Sequence, residues 1–388
     1  MDFDLAEEHR MLQELVARFV RDELMPLEAA VLARDAAGHG VSLAPEEKAP
    51  IDKRSRELGL WGLDAPVDVG GSDLPAVAMI GVNIELGKTV TPYILPPDSP
   101  NLRMLMATAN EDQRERYLAP YVQRGTVSAI GISEPGAGAD PAAMTTQAVR
   151  DGDDWVINGR KIWISRAAEA DFTILMAVTD KARAARGGIS AFLIDRGTSG
   201  FHVLRRIPMI GGHFTYEVAL EDCRVPAANM LGREGQGFAP MQLRLSTRRL
   251  EMAAICIGAA ERALAMMCDY AGQRVTFGVP LAERQAIQWW VADAAAKIRA
   301  ARLMTYETAW KLDLGRDVRT DISMVKVYAT EMAWEIIDHA MQTLGAMGVT
   351  KEMPLQLMAA QARLMRIYDG PSEVHRWVVA RNMLGLKR

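Results

Sequence analysis

Residues 132–140 read ISEPGAGAD, and this stretch is the starting point for deducing the fold. The apolar run at 126–133 predicts a short buried strand, and Gly136 and Gly138 then predict a tight bend. Glycine lets a backbone approach a ligand closely, and free N–H groups in such a bend can face an anion or an electron-rich ring. Taken alone, the pattern is equally typical of an ordinary loop after a strand, so the surrounding sequence has to decide.

More strands are predicted on the C-terminal side of this bend. Apolar runs at 172–178, 189–194 and 216–220 are separated by turn residues. Asn158-Gly159 stands between the apolar runs 155–157 and 161–164, which predicts a hairpin, because both turn positions need positive φ. Strands at this spacing indicate a small β-barrel or sandwich.

The chain on both sides of these strands has helical periodicity. On the N-terminal side, helices are predicted around 12–20, 50–60 and 75–87 and after Asn110, with a loop at 34–50. On the C-terminal side, breaks near 277–280, 314–317 and 345–354 predict four long helices. The expected fold class is α+β, mostly α. Its parts are an N-terminal helical domain (1–122), a middle β-domain (123–233) and a C-terminal four-helix bundle (234–388).

Composition argues against several classes of protein. The 388 residues hold 45 Lys+Arg and 49 Asp+Glu, so the net charge of −4 gives no basic stripe for nucleic acid. No apolar run reaches the length needed to cross a bilayer. The cysteines Cys223, Cys256 and Cys268 match no metal motif and cannot all pair, so we expect no metal and a cytoplasmic location.

Four further motifs carry candidate chemistry. They are NGRKIWIS at 158–165, RVTFG at 274–278 with Gln285 after it, QTLGAMG at 342–348 and RIYDGPSEVHR at 366–376. Each has a plain structural explanation: core tryptophans, a solvated arginine, a helix cap and an Asp-Gly turn. Their common order along one chain needs another explanation.

Together these motifs resemble the acyl-CoA dehydrogenase family over roughly residues 1–385. The family has the same succession of helical, β and helical domains. The resemblance implies an FAD enzyme of fatty acid or acyl-CoA catabolism that works as a homo-oligomer, commonly a tetramer. Its substrate would be an acyl-CoA thioester, and electron-transfer flavoprotein would accept the electrons.

The resemblance also implies which residues bind the cofactor. Around the flavin ring of the same subunit it places Ile130, Ile132, Ser133, Ala139, Trp163, Ile164, Ser165, Pro371 and Glu373. Toward the FAD of a neighbouring subunit it places Arg274, Phe277, Gln285, Gln342, Gly345 and Ala346. For coenzyme A and substrate it implies Arg244, Ser246, Arg249, Tyr368 and Gly370.

The catalytic residue implied by the resemblance is Asp369, as the base that removes the α-proton while a hydride leaves the β-carbon. Three departures from the family pattern bear on this. The usual base is Glu, which is one methylene longer; Pro371 replaces a Thr; and Ala139 replaces a Ser near the substrate. An Asp-Gly-Pro loop is similar to that of the subgroup related to human acyl-CoA dehydrogenase ten and eleven, which favours longer or substituted acyl groups.

Other functions on the same fold remain open from sequence alone. A flavin oxidase or monooxygenase, for example one resembling nitroalkane oxidase, would also use Asp. A flavin-binding scaffold without turnover is a further alternative, as is a nucleic-acid-associated relative, although no basic tail is present. In some branches the base lies on the arginine-rich helix, but the matching residue here is Arg248, which cannot accept a proton. The acyl group itself is left undecided among branched, aromatic, 4-hydroxylated and long linear chains.

Overall fold

Helices come first, strands second and helices last in the computed structural model, which describes residues 4–386. This order confirms the predicted fold class. The N-terminal helices are α1 (Glu7–Phe19), continued by a π-helical turn (Val20–Leu24), α2 (Glu28–Ala36), α3 (Pro45–Glu57), α4 (Ala76–Leu86), α5 (Ser99–Thr108), α6 (Glu111–Gln113) and α7 (Ala119–Arg124).

Prolines hid parts of two helices from the sequence analysis. The predicted loop at 34–50 is wrong at its end, because α3 starts at Pro45, where a missing N–H costs nothing, and Glu47 caps the Ala44 N–H at 2.8 Å. The helix α5 was missed because Pro96, Pro97 and Pro100 surround its start. Proline near the first turn of a helix is compatible with it, so a proline cluster alone does not exclude one.

The middle of the chain folds into a sheet of eight strands. They are β1 (Ser128–Gly131), β2 (Gln147–Asp151), β3 (Asp154–Ile164), β4 (Phe172–Val178), β5 (Ile189–Asp195), β6 (Phe201–Pro208), β7 (Phe214–Pro226) and β8 (Met230–Leu231). Their order is β6-β7-β3-β2-β4-β5-β8, with β1 parallel to β4. The strand β6 escaped prediction because it has no buried apolar face: most of its residues are exposed.

The predicted hairpin at Asn158-Gly159 is wrong. The strand β3 runs straight through this pair, and the turn lies at Gly152-Asp153 instead, where Asp151 pairs with Asp154. A side chain on Gly159 would meet Thr146 at 2.5 Å, so glycine is needed there for close packing at an irregularity in the ladder.

Three long helices and two shorter ones complete the chain. They are α8 (Phe238–Gln273), α9 (Gln285–Asp313), α10 (Arg319–Leu344), α11 (Leu355–Met365) and α12 (Ser372–Met383). A small hairpin of β9 (Val275–Thr276) and β10 (Val279–Pro280) joins α8 to α9. The fourth helix of the predicted bundle is thus divided into two, α11 and α12, and the segment between them contains Asp369. A large apolar core joins α4 to α8, α9, α10 and α11 and fixes the position of that segment.

Candidate active site

The loop between α11 and α12 carries one carboxylate, that of Asp369, whose side chain is only 15% exposed. Asp369 has φ of 54°, in a region that residues other than glycine rarely adopt and that is often found at functional sites. Its Oδ1 accepts a hydrogen bond of 2.9 Å from Arg244 Nη1, and its backbone oxygen accepts one of 2.7 Å from Arg249 Nε. Two arginines of α8 therefore hold both ends of this residue.

A buried lysine anchors the same loop from α10. Lys326 is fully buried, and its Nζ donates to the backbone oxygen of Tyr368 at 2.8 Å and to the backbone oxygen of Gly370. Burial lowers the pKa of Lys326 to about 8, although Asp369 acts in the opposite direction. The sequence analysis missed this residue, yet a lysine within the apolar stripe of α10, between Val325 and Ala329, was a visible signal.

His375 supports the loop from α12. Its Nδ1 lies 3.1 Å from Ser323 Oγ, and its Nε2 lies 3.4 Å from the backbone oxygen of Asp369. Burial lowers the pKa of His375 to about 3, with Arg249 and Lys326 adding to the effect. The imidazole is therefore neutral at physiological pH.

This pKa makes a pH-dependent contribution to stability. A depressed pKa in the folded state means that the contribution is complete above the ordinary value of 6.5 and is lost as pH falls toward 3. When the pH is lowered from 7 to 5, the unfolding free energy of the unmutated protein should fall by roughly 2 kcal/mol more than that of a His375→Gln variant. Urea unfolding at both pH values measures the difference, and equal losses in the two proteins would contradict it.

Arginines on α8 form a charged cluster with the N-terminal helices and the sheet. Arg244 and Arg248 are four residues apart and so share a helix face, and Arg248 pairs with Glu251 at 3.2 Å. Arg166, directly after β3, pairs with Asp98, which precedes α5. Burial alone would raise the pKa of Asp98, but Arg166, Arg248 and Arg244 lower it.

Hydrogen bonds connect the two ends of this cluster. Arg244 Nε donates to Asn101 at 3.2 Å, and Asn101 donates to Ser128 at 2.8 Å. The Ser128 hydroxyl donates to the Tyr121 hydroxyl at 2.9 Å, and the latter donates to the backbone oxygen of Asp98 at 3.2 Å. The sequence analysis named neither Asp98 nor Arg166, because each is an isolated charge that only the fold brings to α8.

Of the other predicted substrate residues, Tyr368 and Gly370 flank Asp369, and burial raises the pKa of Tyr368 to about 12. Ser246 is on α8, three residues before Arg249, and so shares a helix face with that arginine.

The glycine-rich bend after β1 rests on a buried ion pair. Lys161 Nζ lies 2.9 Å from Glu134 Oε1 and also donates to the Ile132 oxygen at 3.1 Å. The Glu134 carboxylate also accepts hydrogen bonds from the backbone N–H of Thr145 and from that of Thr146. Burial would raise the pKa of Glu134, but Lys161 and these hydrogen bonds lower it to about 2.

The C-terminal end of β3, beside this bend, offers an open aromatic face. Trp163 is 51% exposed with φ of 63°, and a side chain added at Gly136 or Gly138 would meet nothing within 4 Å. Exposed Ser165 follows, while the Ile164 side chain is buried in the sheet core and leaves its backbone for any ligand. These residues fit a large flat ring lying against the sheet.

The remaining cofactor candidates are divided between several places. Ile130 is half-buried in β1, Ile132 and Ser133 follow it, and Ala139 is exposed at the end of the bend. Pro371 and Glu373 lie at the start of α12, next to Asp369.

The residues predicted to reach a neighbouring subunit lie on the surface of the C-terminal bundle. Arg274, Phe277 and Gln285 surround the β9–β10 hairpin, and Phe277 is 99% exposed with φ of 51°. Gln342, Gly345 and Ala346 are exposed where α10 ends. An exposed phenylalanine held at positive φ is costly to a lone chain, which is consistent with a contact outside it.

Residues 4–386 contain no cluster of three His, Cys, Asp or Glu side chains placed to hold a metal ion. None of the helices in the same range is long and apolar enough to cross a membrane.

Models of three protein families match the chain in succession. They describe the acyl-CoA dehydrogenase N-terminal domain at residues 6–124, the middle domain at 129–223 and the C-terminal domain at 235–384.

Individual proteins match over almost the full length. (R)-benzylsuccinyl-CoA dehydrogenase of Thauera aromatica is 40% identical, with 99% of this chain and 97% of that protein aligned. The structure of butyryl-CoA dehydrogenase from Megasphaera elsdenii is 32% identical with a TM-score of 0.89, over 99% of this chain and 100% of that one. The structure of a glutaryl-coenzyme A dehydrogenase glutaryl-CoA complex is 30% identical with a TM-score of 0.90, over 100% and 98%.

Proposed function

The chain belongs to the acyl-CoA dehydrogenase family, and we propose that it α,β-dehydrogenates an acyl-CoA thioester with Asp369 as base and FAD as cofactor. The observation that carries the proposal is the Asp369 carboxylate, held at positive φ in a loop that Arg244 and Arg249 of α8 anchor. The homologues are flavoproteins, and the exposed aromatic face fits the flavin ring.

The reaction forms a C=C bond by removing a proton and a hydride. Asp369 takes the proton from the α-carbon, and the electron pair of that C–H bond becomes the new π bond. FAD, when bound, supplies the acceptor for the hydride that leaves the β-carbon. Within residues 4–386 the backbone N–H of Asp369 has no bonded acceptor, so it is open to the thioester oxygen and can stabilise the charge that develops there.

Arg249 links coenzyme A binding to the position of the base. Its Nε donates to the backbone oxygen of Asp369 at 2.7 Å. Its Nη2 is so close to the neighbouring Gly370 that a Cβ atom at that position would lie 3.4 Å away. In an Arg249→Ala variant we expect kcat to fall about tenfold and KM to rise about tenfold, because the loop and the thioester both lose a contact. Arg249→Lys, which keeps the charge without the Nε donor, should recover KM more than kcat. A change in KM alone would contradict the role in positioning Asp369.

A second copy of the chain is expected to cover the C-terminal bundle. Large apolar side chains are exposed there, namely Phe277, Trp289, Leu303, Trp310, Trp377, Met383 and Leu384. A surface of this kind is typical of a subunit interface. We propose a homo-oligomer, a dimer at least and a tetramer by family resemblance, in which the β9–β10 hairpin reaches the FAD of a neighbour.

The family resemblance also carries the electron acceptor and the location. Electron-transfer flavoprotein would reoxidise the enzyme. A cytoplasmic location agrees with the three free thiols Cys223, Cys256 and Cys268.

An anaerobic titration tests the function. The purified flavoprotein is mixed with a panel of acyl-CoA thioesters, and flavin absorbance is recorded without oxygen. Bleaching by some thioesters and not others is the expected result. A yellow protein that no thioester bleaches, but that consumes oxygen with a nitroalkane, would instead favour the oxidase function. A protein that cannot be loaded with FAD would overturn the proposal.

A further inference from the structure

Charged side chains of both signs are concentrated around the candidate base. Four guanidinium groups lie in this region, those of Arg166, Arg244, Arg248 and Arg249. The carboxylates among them are those of Asp98, Asp369 and Glu251. Burial raises the pKa of Glu251 to about 7, with Arg248 acting against it, so this group is partly neutral near physiological pH. The ammonium group of Lys326 adds further positive charge behind the loop.

Arg244 holds the group that has to react. Its side chain is 12% exposed and that of Asp369 is 15% exposed, so the 2.9 Å ion pair is largely shielded from water. Arg244 bonds only Oδ1 of this carboxylate, and Oδ2 has no bonded donor within residues 4–386, so exchange of the Arg244 partner would leave both oxygens free. An arginine that loses its partner in a shielded site needs another anion, because a buried charge without one is costly.

The rest of the surroundings of Arg244 is polar as well. Asn101 bonds its Nε, and through Ser128 and Tyr121 the hydrogen bonds lead to Asp98. A long linear hydrocarbon chain directed to this side would bury charged groups against methylenes, which is unfavourable. A short acyl group with an anionic substituent suits these neighbours better.

We propose that the acyl group of the substrate carries a second carboxylate, which replaces Asp369 as the partner of Arg244. This inference rests on the proposed function and names its substrate class. Binding of such a substrate would occupy the guanidinium and leave both carboxylate oxygens of Asp369 free. A thioester without the second carboxylate leaves Oδ1 of Asp369 bonded to Arg244 and gives the guanidinium no new partner. A guanidinium can form a bidentate pair of hydrogen bonds with a carboxylate. Lysine would supply the positive charge without the bidentate geometry.

The test compares charged and neutral thioesters of equal length on the FAD-loaded protein. Glutaryl-CoA is paired with valeryl-CoA, and benzylsuccinyl-CoA with its analogue in which a methyl group replaces the free carboxylate. We expect kcat/KM for flavin reduction to be at least about tenfold higher for the carboxylated member of at least one pair. Binding is measured separately by calorimetry with the 3-thia analogues of the first pair, whose sulfur in place of the β-carbon prevents hydride loss. The carboxylated analogue should bind about 10- to 100-fold more tightly than the neutral one.

Variants assign the preference to one residue. Arg244→Met should reduce the ratio of dissociation constants to within about twofold of unity, and Arg244→Lys should restore part of it. The control is Arg103→Met. Arg103 lies on α5 and pairs with Asp64 at 3.2 Å, so this variant also removes a positive charge, but the ratio of dissociation constants should stay unchanged.

The outcomes separate this inference from the function on which it rests. If neutral thioesters bleach the flavin as well as the carboxylated ones, the dehydrogenase function stands and the inference is wrong. The inference is equally wrong if the preference survives Arg244→Met. If no thioester of either kind bleaches the flavin, the proposed function itself fails.

Discussion

An Asp369→Asn variant is expected to fold, to bind FAD and to stay yellow, while its reduction by substrate slows by about 10³- to 10⁴-fold. Asparagine has nearly the same shape, and its Oδ1 can still accept the hydrogen bond from Arg244 that the carboxylate accepts at 2.9 Å. It cannot take up a proton, so the α C–H bond loses its base. Anaerobic stopped-flow absorbance measures the rate of flavin reduction directly, and thioester binding by calorimetry should change by far less.

Glu251 supplies the control for this experiment. It is another largely buried carboxyl group, which lies on α8 beside Arg248, and burial raises its pKa to about 7, a value suited to a general base. If Asp369 is the base, Glu251→Gln keeps most of the reduction rate. Fast reduction in Asp369→Asn together with slow reduction in Glu251→Gln would move the base to α8. An Asp369→Glu variant, one methylene longer, should remain active, since the loop has only to retreat by about one bond length.

Periodicity predicted the architecture because most elements have one buried face. The helix α10 is of this kind, whereas β4 and β5 are buried on both faces and were predicted from unbroken apolar runs; the positions of all three agree closely with the sequence analysis. The failures occur where a local signal has two meanings. Asn158-Gly159 is a turn signal, but Gly159 serves a close approach to Thr146 within β3. A proline cluster signals a loop, but α5 begins inside one.

The candidate site was predictable to the extent that it lies on contiguous motifs. Asp369, Tyr368 and Gly370 belong to one motif, so their proximity needed no structure. The partners of Asp369 were less accessible, because Arg244 is 125 positions away and Lys326 reaches the loop from another helix. Arg166 and Asp98 lie in parts of the chain that the three-domain succession separates. Single charges at such distances give no signal until the fold brings them together, and the substrate class inferred from them was therefore out of reach of the sequence.

Replacing Lys161 should give the largest loss of stability of any single change considered for the middle domain. Its side chain is fully buried against Glu134, which is 3% exposed, and Lys161→Met leaves that carboxylate without a countercharge. Removing one partner of a buried pair costs about 3–5 kcal/mol of unfolding free energy. The Ile132 oxygen also loses its hydrogen bond, so the bend next to Trp163 should loosen and FAD should be released at a lower urea concentration.

The double variant Glu134→Gln/Lys161→Met distinguishes charge from packing. It removes both charges, so it should be more stable than Lys161→Met alone, since the uncompensated carboxylate is then gone. Arg224→Met is the matched control, because Arg224 pairs with Asp151 at the exposed surface of the same sheet, where the two side chains are 56% and 58% exposed. That change should cost less than about 1 kcal/mol. Urea unfolding followed by tryptophan fluorescence gives the midpoints, and flavin fluorescence gives the release of FAD. A Lys161→Met protein as stable as Arg224→Met would mean that Glu134 is satisfied by Thr145 and Thr146 alone, and the bend would then owe its position to those hydrogen bonds and not to the ion pair.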